Sequence, residues 1–316
     1  DLVDADLLIV DESSMIDLNI ANVLLKRINH NRTAILFVGD IDQLPPVGSG
    51  AFFRDLIYSN LVNVCKLEKL HRTSNDSNIA INAYNVNHDK KMDFNETKDF
   101  EFIELYNNDE ISDKICEIYD GLILDGVSPL DIQILSPVRE KALSCADLNA
   151  KIRPIANLNY TPDTKLKFIT GDKVMQIKNN NDLDVYNGDT GMVSKYDFTK
   201  DVIIADFGTA KTKSRKVEYK KSLLSELELA FCITIHKSQG SDYPYVIIPL
   251  STTHNMQWNK RLLYTAITRT KKKLILVGSK SVVYAASHKN KNEERITNLS
   301  EMFEIYNKNL KNESVF

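Results

Sequence analysis

Two acidic clusters stand at the ends of short apolar runs near the amino terminus, and chemistry is first legible there. Asp11-Glu12 follows Leu7-Leu8-Ile9-Val10, and Gly39-Asp40-Ile41-Asp42-Gln43 follows the run from Ala34 to Val38. A short apolar run bounded by polar residues is the pattern of a strand buried in a parallel sheet, and its carboxyl end opens on the crevice where such sheets bind ligands. In that position one carboxylate can hold Mg²⁺, directly or through water, while a second orients and deprotonates a water that attacks a γ-phosphate. Asp11 suits the first task and Glu12 the second. A strand leaving a core also ends in two acids without either task, so the pair alone does not decide. Gln43 can donate and accept at once, which suits a sensor of a γ-phosphate, and Pro45-Pro46-Val47 stiffens the loop behind it. A Pro-terminated surface turn is the alternative.

Two later strings carry cations. Thr234-Ile235-His236-Lys237-Ser238-Gln239-Gly240-Ser241 joins two elements through small hydrogen-bonding residues, and Lys237, Ser238 and backbone N–H groups could grip a phosphodiester there. His236 alone reads equally as a structural histidine. Leu263-Tyr264-Thr265-Ala266-Ile267-Thr268-Arg269 sets one arginine at the end of an otherwise small or apolar helix. Such an arginine can stabilise charge developing on a transferring phosphoryl group, or can simply answer the helix dipole. Lys211, Lys213, Arg215, Lys216, Lys220 and Lys221 could follow a nucleic-acid backbone, although a solvated hairpin face has the same composition. Phe52 and Phe53 could stack on a base; we read them as core residues of the helix that starts at Ala51.

The elements that must position these residues alternate. Leu7 to Val10 and Ala34 to Val38 read as fully buried strands, with a helix between them on Ile20, Val23, Leu24 and Ile28. Strand, helix, strand returns at Tyr245 to Ile248, Lys260 to Thr268 and Lys273 to Val277. A further strand, Ile132 to Leu135, ends in Ser136-Pro137, and a capping box of Ser144 with Asp147 opens a helix that reaches about Asn157. From Leu166 to Tyr219 the pattern changes to short alternating runs, including Lys173 to Ile177 and Val202 to Asp206, separated by turns at Asn187-Gly188 and Phe207-Gly208. The fold class is therefore α/β: two parallel-sheet cores with a small β module inserted in the second. The expected boundaries are 1–70 for the first core, 71–160 with 225–316 for the second, and 161–224 for the insert. The polar tail beyond Lys289 reads as a surface helix with a frayed end.

At 316 residues with 43% hydrophobic and 26% charged side chains, the chain has room for roughly two domains of about 150 residues. A net charge of −3 supplies no global basic field, so any nucleic acid must be held by a local groove. Cys65, Cys116, Cys145 and Cys232 lack a Cys-x-x-Cys pair, which argues against zinc and against a disulfide framework and reads as reduced thiols of a cytoplasmic protein. No run approaches the roughly 18 apolar residues of a membrane span.

In order, Val10 to Met15, Gly39 to Gly50, Thr234 to Asp242 and Leu263 to Arg269 resemble motifs II, III, V and VI of superfamily 1 helicases, the last two being most similar to the RecD/TraA branch. Gln133-Ile134-Leu135-Ser136-Pro137 with Leu148-Asn149, and Gly171-Asp172-Lys173-Val174-Met175-Gln176 with Asn187-Gly188-Asp189-Thr190-Gly191, resemble that branch specifically. The latter pair looks like a Src-homology-3-like barrel. Arg72, after Leu67-Glu68-Lys69-Leu70-His71, matches the arginine of motif IV. The resemblance implies two RecA-like motor domains, the first one incomplete, with ATP and Mg²⁺ between them. It implies that Asp11 holds the metal, that Glu12, Gln43, Arg72 and Arg269 act in hydrolysis, and that Asp40, Gly240 and Asp242 serve the nucleotide side. Single-stranded DNA would lie on Pro45, Pro46, Val47, Ser136, His236, Lys237 and Ser238, moving 5′ to 3′; helicase–nuclease partner subunits are also implied.

Three departures stand out. Asp242 replaces the usual glutamate after the motif V glycine and serine, Thr270-Lys271 replaces alanine and arginine, and no Gly-Lys dipeptide occurs anywhere. Without a phosphate-cradling loop the isolated chain is expected to bind ATP poorly. A non-catalytic DNA-binding partner subunit and an RNA-directed motor of the same superfamily remain the rival readings.

Overall fold

The computed structural model describes residues 2–67, 77–163, 166–197, 199–208, 214–289 and 297–313, and these divide into two compact units. In the first, β1 (Leu7–Val10) and β2 (Ala34–Phe37) pair in parallel, Leu7 opposite Ala34 through Val10 opposite Phe37, with α1 (Leu18–Lys26) between them in the chain. The Asp17 carboxylate caps α1 by accepting from Ile20 N at 2.8 Å. In α2 (Phe52–Tyr58) both Phe52 and Phe53 are buried, and Phe52 meets Phe37 edge-on at 5.4 Å. Their core assignment is correct, and neither ring is free to stack on a base. The expectation that β1 and β2 are buried on both faces is not met. Val10 and Phe37 pack on the core around Ile16, Ala21 and Phe52, but Leu7, Ile9 and Leu36 remain 54%, 58% and 49% exposed. No described element lies over that face, and apolarity on both sides of a strand says nothing about what covers each side.

The second unit opens with α3 (Asn78–Asn87), β3 (Phe100–Glu104), α4 (Asn108–Leu124), β4 (Ile132–Ser136) and α5 (Cys145–Ala156). After the inserted module come β10 (Cys232–Thr234), β11 (Tyr243–Leu250), α6 (Lys260–Thr268), β12 (Thr270–Gly278) and α7 (Lys280–His288). The five strands form one parallel sheet in the order β10-β4-β11-β12-β3. Ile111, Ile115 and Tyr119 of α4 and Leu148 and Ile152 of α5 bury against Ile134, Ile247 and Ile275 of the sheet. Ser144 caps α5 by accepting from Asp147 N. The Asp147 carboxylate reaches back to Leu143 N rather than to Ser144 N, one residue short of the expected box.

Inside this unit, α5 carries a polar anchor. Asn149 donates to Leu229 O and Cys232 O and accepts from Cys232 N, so one amide closes the backbone where the chain re-enters the sheet. Replacing Asn149 with alanine strands buried groups of β10, and we expect a loss of about 2 kcal/mol, read as a lowered urea midpoint at unchanged slope. An unchanged midpoint would remove the anchor from the account.

The insert is an antiparallel sheet of five strands: β5 (Lys173–Gln176), β6 (Thr190–Asp197), β7 (Val202–Asp206), β8 (Lys216–Lys220) and β9 (Leu227–Leu229). Their order is β8-β7-β6-β5-β9, around a core that includes Phe168, Val174, Val193, Ile203, Tyr219 and Leu227. Because β9 pairs with β5, the module runs past residue 224, and only Ala230 and Phe231 separate it from β10. Two buried polar junctions tie it to the parallel-sheet core. Arg153 of α5 forms a two-pronged pair with the fully buried Asp172, at 2.9 and 2.6 Å. Lys173, also fully buried, donates to Ile132 O at 2.8 Å and to Gln133 Oε1 at 3.0 Å.

The last helix, α8 (Leu299–Glu313), groups with the first unit instead of the second. Leu299 packs on the core around Phe52, and Thr297 hydrogen-bonds the Asp55 carboxyl, which burial holds above its ordinary pKa. The expected assignment of the tail to the second core is thereby revised. A helical period shows that one face wants burial, without showing against which core. No described helix is long and apolar enough to cross a membrane.

Candidate functional site

The first unit brings its two acidic loops together. Glu12, directly after β1, sits in the left-handed region at φ 49° and ψ 39°, a conformation unusual for a residue with a Cβ. The turn is held by Ser13 N donating to Val38 O at 2.8 Å and Ser13 Oγ donating to Val10 O at 2.7 Å, so it is fastened to the ends of both strands. Gly39 fits against it because a Cβ there would lie 2.9 Å from Ser14 N. Likewise a Cβ on Gly48 would collide with the Asp17 carboxylate, so the loop after β2 lies flat over the start of α1. Asp11 is exposed, and one of its carboxylate oxygens accepts from Glu12 N at 2.8 Å.

In the loop after β2, Asp40 organises its neighbours. One carboxylate oxygen accepts from Asp42 N at 2.9 Å and the other from Gln43 Nε2 at 3.2 Å. Gln43 therefore has its amide nitrogen directed at Asp40. Pro46 is buried, Pro45 is half-buried, and Val47 stands 88% exposed at the tip. Of the three residues expected to touch a strand, Val47 is the one displayed.

No group of three or more His, Cys, Asp or Glu side chains with metal-binding geometry occurs among the described residues. The donor set at the strand end, Asp11 with Glu12, is not a zinc-type cage. It fits Mg²⁺, which is commonly held by one or two carboxylates together with substrate phosphates and water, and Asp11 is the exposed carboxylate at the strand end.

In the second unit, Thr234 is the register partner of Ser136, so the loop after β10 and the end of β4 are side by side. Ser136 and Ser238 are fully buried and donate to Leu143 O and Ile235 O. Their hydroxyl protons are committed to holding the loop, which leaves the exposed His236 and the partly exposed Lys237 as the side chains facing outward. Lys237 Nζ is 2.5 Å from Glu228 Oε2 on β9.

Arg269 and Asp242 lie elsewhere. Tyr243 N donates to Arg269 O at 2.8 Å where β11 and β12 begin, so this pair occupies the amino edge of the sheet, and the carboxyl-end rule does not reach it. The Arg269 side chain is 3% exposed, donates to Ser241 O at 3.3 Å and lies 4.0 Å from Asp242 Oδ1; Lys271 Nζ is 3.0 Å from the other Asp242 oxygen. Asp242, shorter than the usual glutamate, thus has two cations to hold. Gly240, two residues before it, has φ +75° and open space where a Cβ would stand. Arg72, Lys211 and Lys213 lie outside the described residues. In the remaining basic stretch Arg215 is spent on Asp189 and Asp184 O, while Lys216 and Lys220 alternate with buried Val217 and Tyr219, as on a solvated hairpin face.

Glu228 carries no mark in the sequence, and Lys173 and Gln133, which lie in separate motif-like strings, meet in the structure. Lys173 was readable in principle, as a lysine in a run with apolar residues on both faces. For Glu228 there was no signal, since its partner is set by where β9 ends.

Three family models match the chain: an AAA domain over residues 1–108, an ATP-dependent RecD-like DNA helicase SH3 domain over 148–207, and a UvrD-like helicase C-terminal domain over 229–277. Among curated proteins, the ATP-dependent RecD2 DNA helicase of Deinococcus radiodurans is 28% identical over 94% of this chain and 39% of its own length. The RecBCD enzyme subunit RecD is 25% identical in Buchnera aphidicola and 27% identical in Mycolicibacterium smegmatis, over 92% and 89% of this chain and 56% and 51% of theirs. The chain thus spans 39% to 56% of the length of these relatives. With a parallel-sheet core, an antiparallel insert at the place of the RecD-like SH3 model, and ordered motifs that agree with all three matches, the chain is similar to the RecD-like helicases over most of its length.

Proposed function

We propose that the complete protein is an ATP-dependent DNA helicase of RecD type, which couples hydrolysis to 5′-to-3′ movement on single-stranded DNA. The carrying observation is the fastened turn after β1, which holds Asp11 and Glu12 beside the Asp40–Gln43 loop at the ends of two paired parallel strands. In this reading Asp11 would hold Mg²⁺, which when bound would supply neutralisation of charge at the nucleotide phosphates. Glu12 takes the proton of the attacking water, Gln43 with Asp40 reports loss of the γ-phosphate to the loop ending at Val47, and Arg269 and Arg72 stabilise the transition-state charge. Asp242 holds Arg269 in place, and Gly240 leaves room beside it. His236 and Lys237 grip the phosphodiester backbone, and Val47 offers an apolar contact to single-stranded DNA. RecBCD-like partner subunits belong to the same reading.

The test is ATP hydrolysis by the complete protein with oligo-dT, with the matching RNA, and with neither, followed by strand displacement from 5′ and 3′ overhangs. Strong stimulation by DNA and unwinding from the 5′ overhang support the reading. Equal stimulation by RNA favours the RNA-directed motor, and DNA binding without hydrolysis favours the non-catalytic subunit. Lys237→Ala should weaken single-strand binding about tenfold at moderate salt, and should lower the slope of log affinity against log salt by about one. An unchanged slope would take Lys237 off the backbone.

A further inference from the structure

Lys237 has a partner in place before any strand arrives. Its Nζ lies 2.5 Å from Glu228 Oε2, with the lysine side chain 19% exposed and the glutamate 49% exposed. Neither end is loosely placed. Lys237 N donates to Thr234 Oγ1 at 3.3 Å, and the loop is closed beneath it by Ser238 Oγ donating to Ile235 O at 2.8 Å. Glu228 sits on β9 opposite Met175 of β5, and the chain just beyond it is pinned by Asn149 and by Ala230 N donating to Lys173 O at 2.9 Å. The carboxylate thus comes from the inserted module and the ammonium from the parallel-sheet core, and both lie within the same compact unit.

Resting on the reading of Lys237 as a strand-gripping cation, we propose that Glu228 is a built-in competitor for the DNA backbone. A carboxylate and a phosphodiester offer a lysine the same thing, an anionic oxygen at hydrogen-bonding distance, and an ammonium held at 2.5 Å by one is not available to the other at full strength. Loading a strand exchanges one anion for another on Lys237, and releasing the strand hands the ammonium back to Glu228. The pair is partly solvent-exposed, so its strength is modest and salt-sensitive, as suits a contact that must open at each step along the strand. Glu228 is a positioning residue in this scheme. It touches no nucleotide and acts through Lys237.

The experiment is equilibrium binding of a fluorescent oligo-dT to the complete protein and to its Glu228→Gln, Lys237→Ala and doubly substituted variants, at several salt concentrations. Glu228→Gln is expected to tighten binding about two- to fivefold near 0.1 M salt, with the gain shrinking as salt rises. In the Lys237→Ala background the same change is expected to do nothing. An equal gain in both backgrounds would mean that any lost negative charge suffices, and it overturns the proposal. So does Lys237→Ala weakening the complex while Glu228→Gln brings no gain, an outcome that leaves the reading of the loop intact. Wild-type affinity in Lys237→Ala overturns the reading of the loop and the proposal together.

Discussion

Glu12→Gln in the complete protein should lower DNA-stimulated ATP turnover by about a hundred- to ten-thousandfold while leaving nucleotide affinity within about twofold, because a general base contributes on that order and an amide of the same shape cannot take a proton. The expectation rests on backbone geometry as much as on residue type. Placing a side chain at φ 49° costs on the order of 1–3 kcal/mol, and such a conformation persists where surrounding contacts over-determine it. Those contacts are the bonds from Ser13 to Val10 and Val38 and the close fit of Gly39. A second variant separates strain from chemistry. Glu12→Gly should relieve the turn and raise the unfolding midpoint while abolishing turnover as fully as Glu12→Gln. The measurements are steady-state hydrolysis and titration with a fluorescent ATP analogue. Turnover within tenfold of wild type in Glu12→Gln would mean that the base lies elsewhere.

The strand ends that carry Asp11 and Asp40 were legible because a short apolar run followed by polar residues has few other uses, and β1 and β2 appear within a residue of where that pattern puts them. The helix from Lys260 to Thr268 was legible as well, and the structure adds its cap, Asn259 Oδ1 accepting from Leu262 N at 2.9 Å. What local pattern cannot carry is the identity of the neighbour. The exposed face of Leu7, Ile9 and Leu36 and the docking of Leu299 on the first unit depend on residues far away in sequence. The candidate site divides in the same way. Its residue types were readable as a helicase-like series, whereas the pairing of Lys237 with Glu228 and the seating of Arg269 beside Asp242 follow from where β9, β11 and β12 begin and end.

Lys173 shows the limit of pattern most sharply. A lysine in a strand ordinarily reads as a marker of the solvent side, yet this one is fully buried between the inserted module and β4. The cost is lowered by what surrounds it. Its Nζ has two acceptors in Ile132 O and Gln133 Oε1, and Gln133 Nε2 in turn donates to Ile134, Ala230 and Phe231 carbonyls. Burial still dominates and brings the ammonium pKa down to about 7, with Asp131 and Cys232 opposing the shift.

In the unfolded chain a lysine keeps its proton up to about pH 10.4, whereas in the folded chain it gives it up near pH 7. Between those limits the unfolded state binds the extra proton, so stability rises with pH across the window and is lost as pH falls toward 7; below that both states are protonated and the contribution is flat. Integrated over roughly three units the effect is on the order of a few kcal/mol. Other lysines and tyrosines titrate in the same range, so the quantity to measure is the difference between wild type and Lys173→Met in the unfolding transition of this unit, from about pH 6.5 to 10. Removing the amine leaves Ile132 O and Gln133 Oε1 without their donor, and the variant should be the less stable protein at high pH. Its deficit should shrink as pH falls, because only the wild type pays to hold a buried ammonium. Parallel curves for the two proteins would show that the amine keeps its proton throughout, held by Asp131 and the carbonyls, and that the junction between the module and the sheet is indifferent to pH.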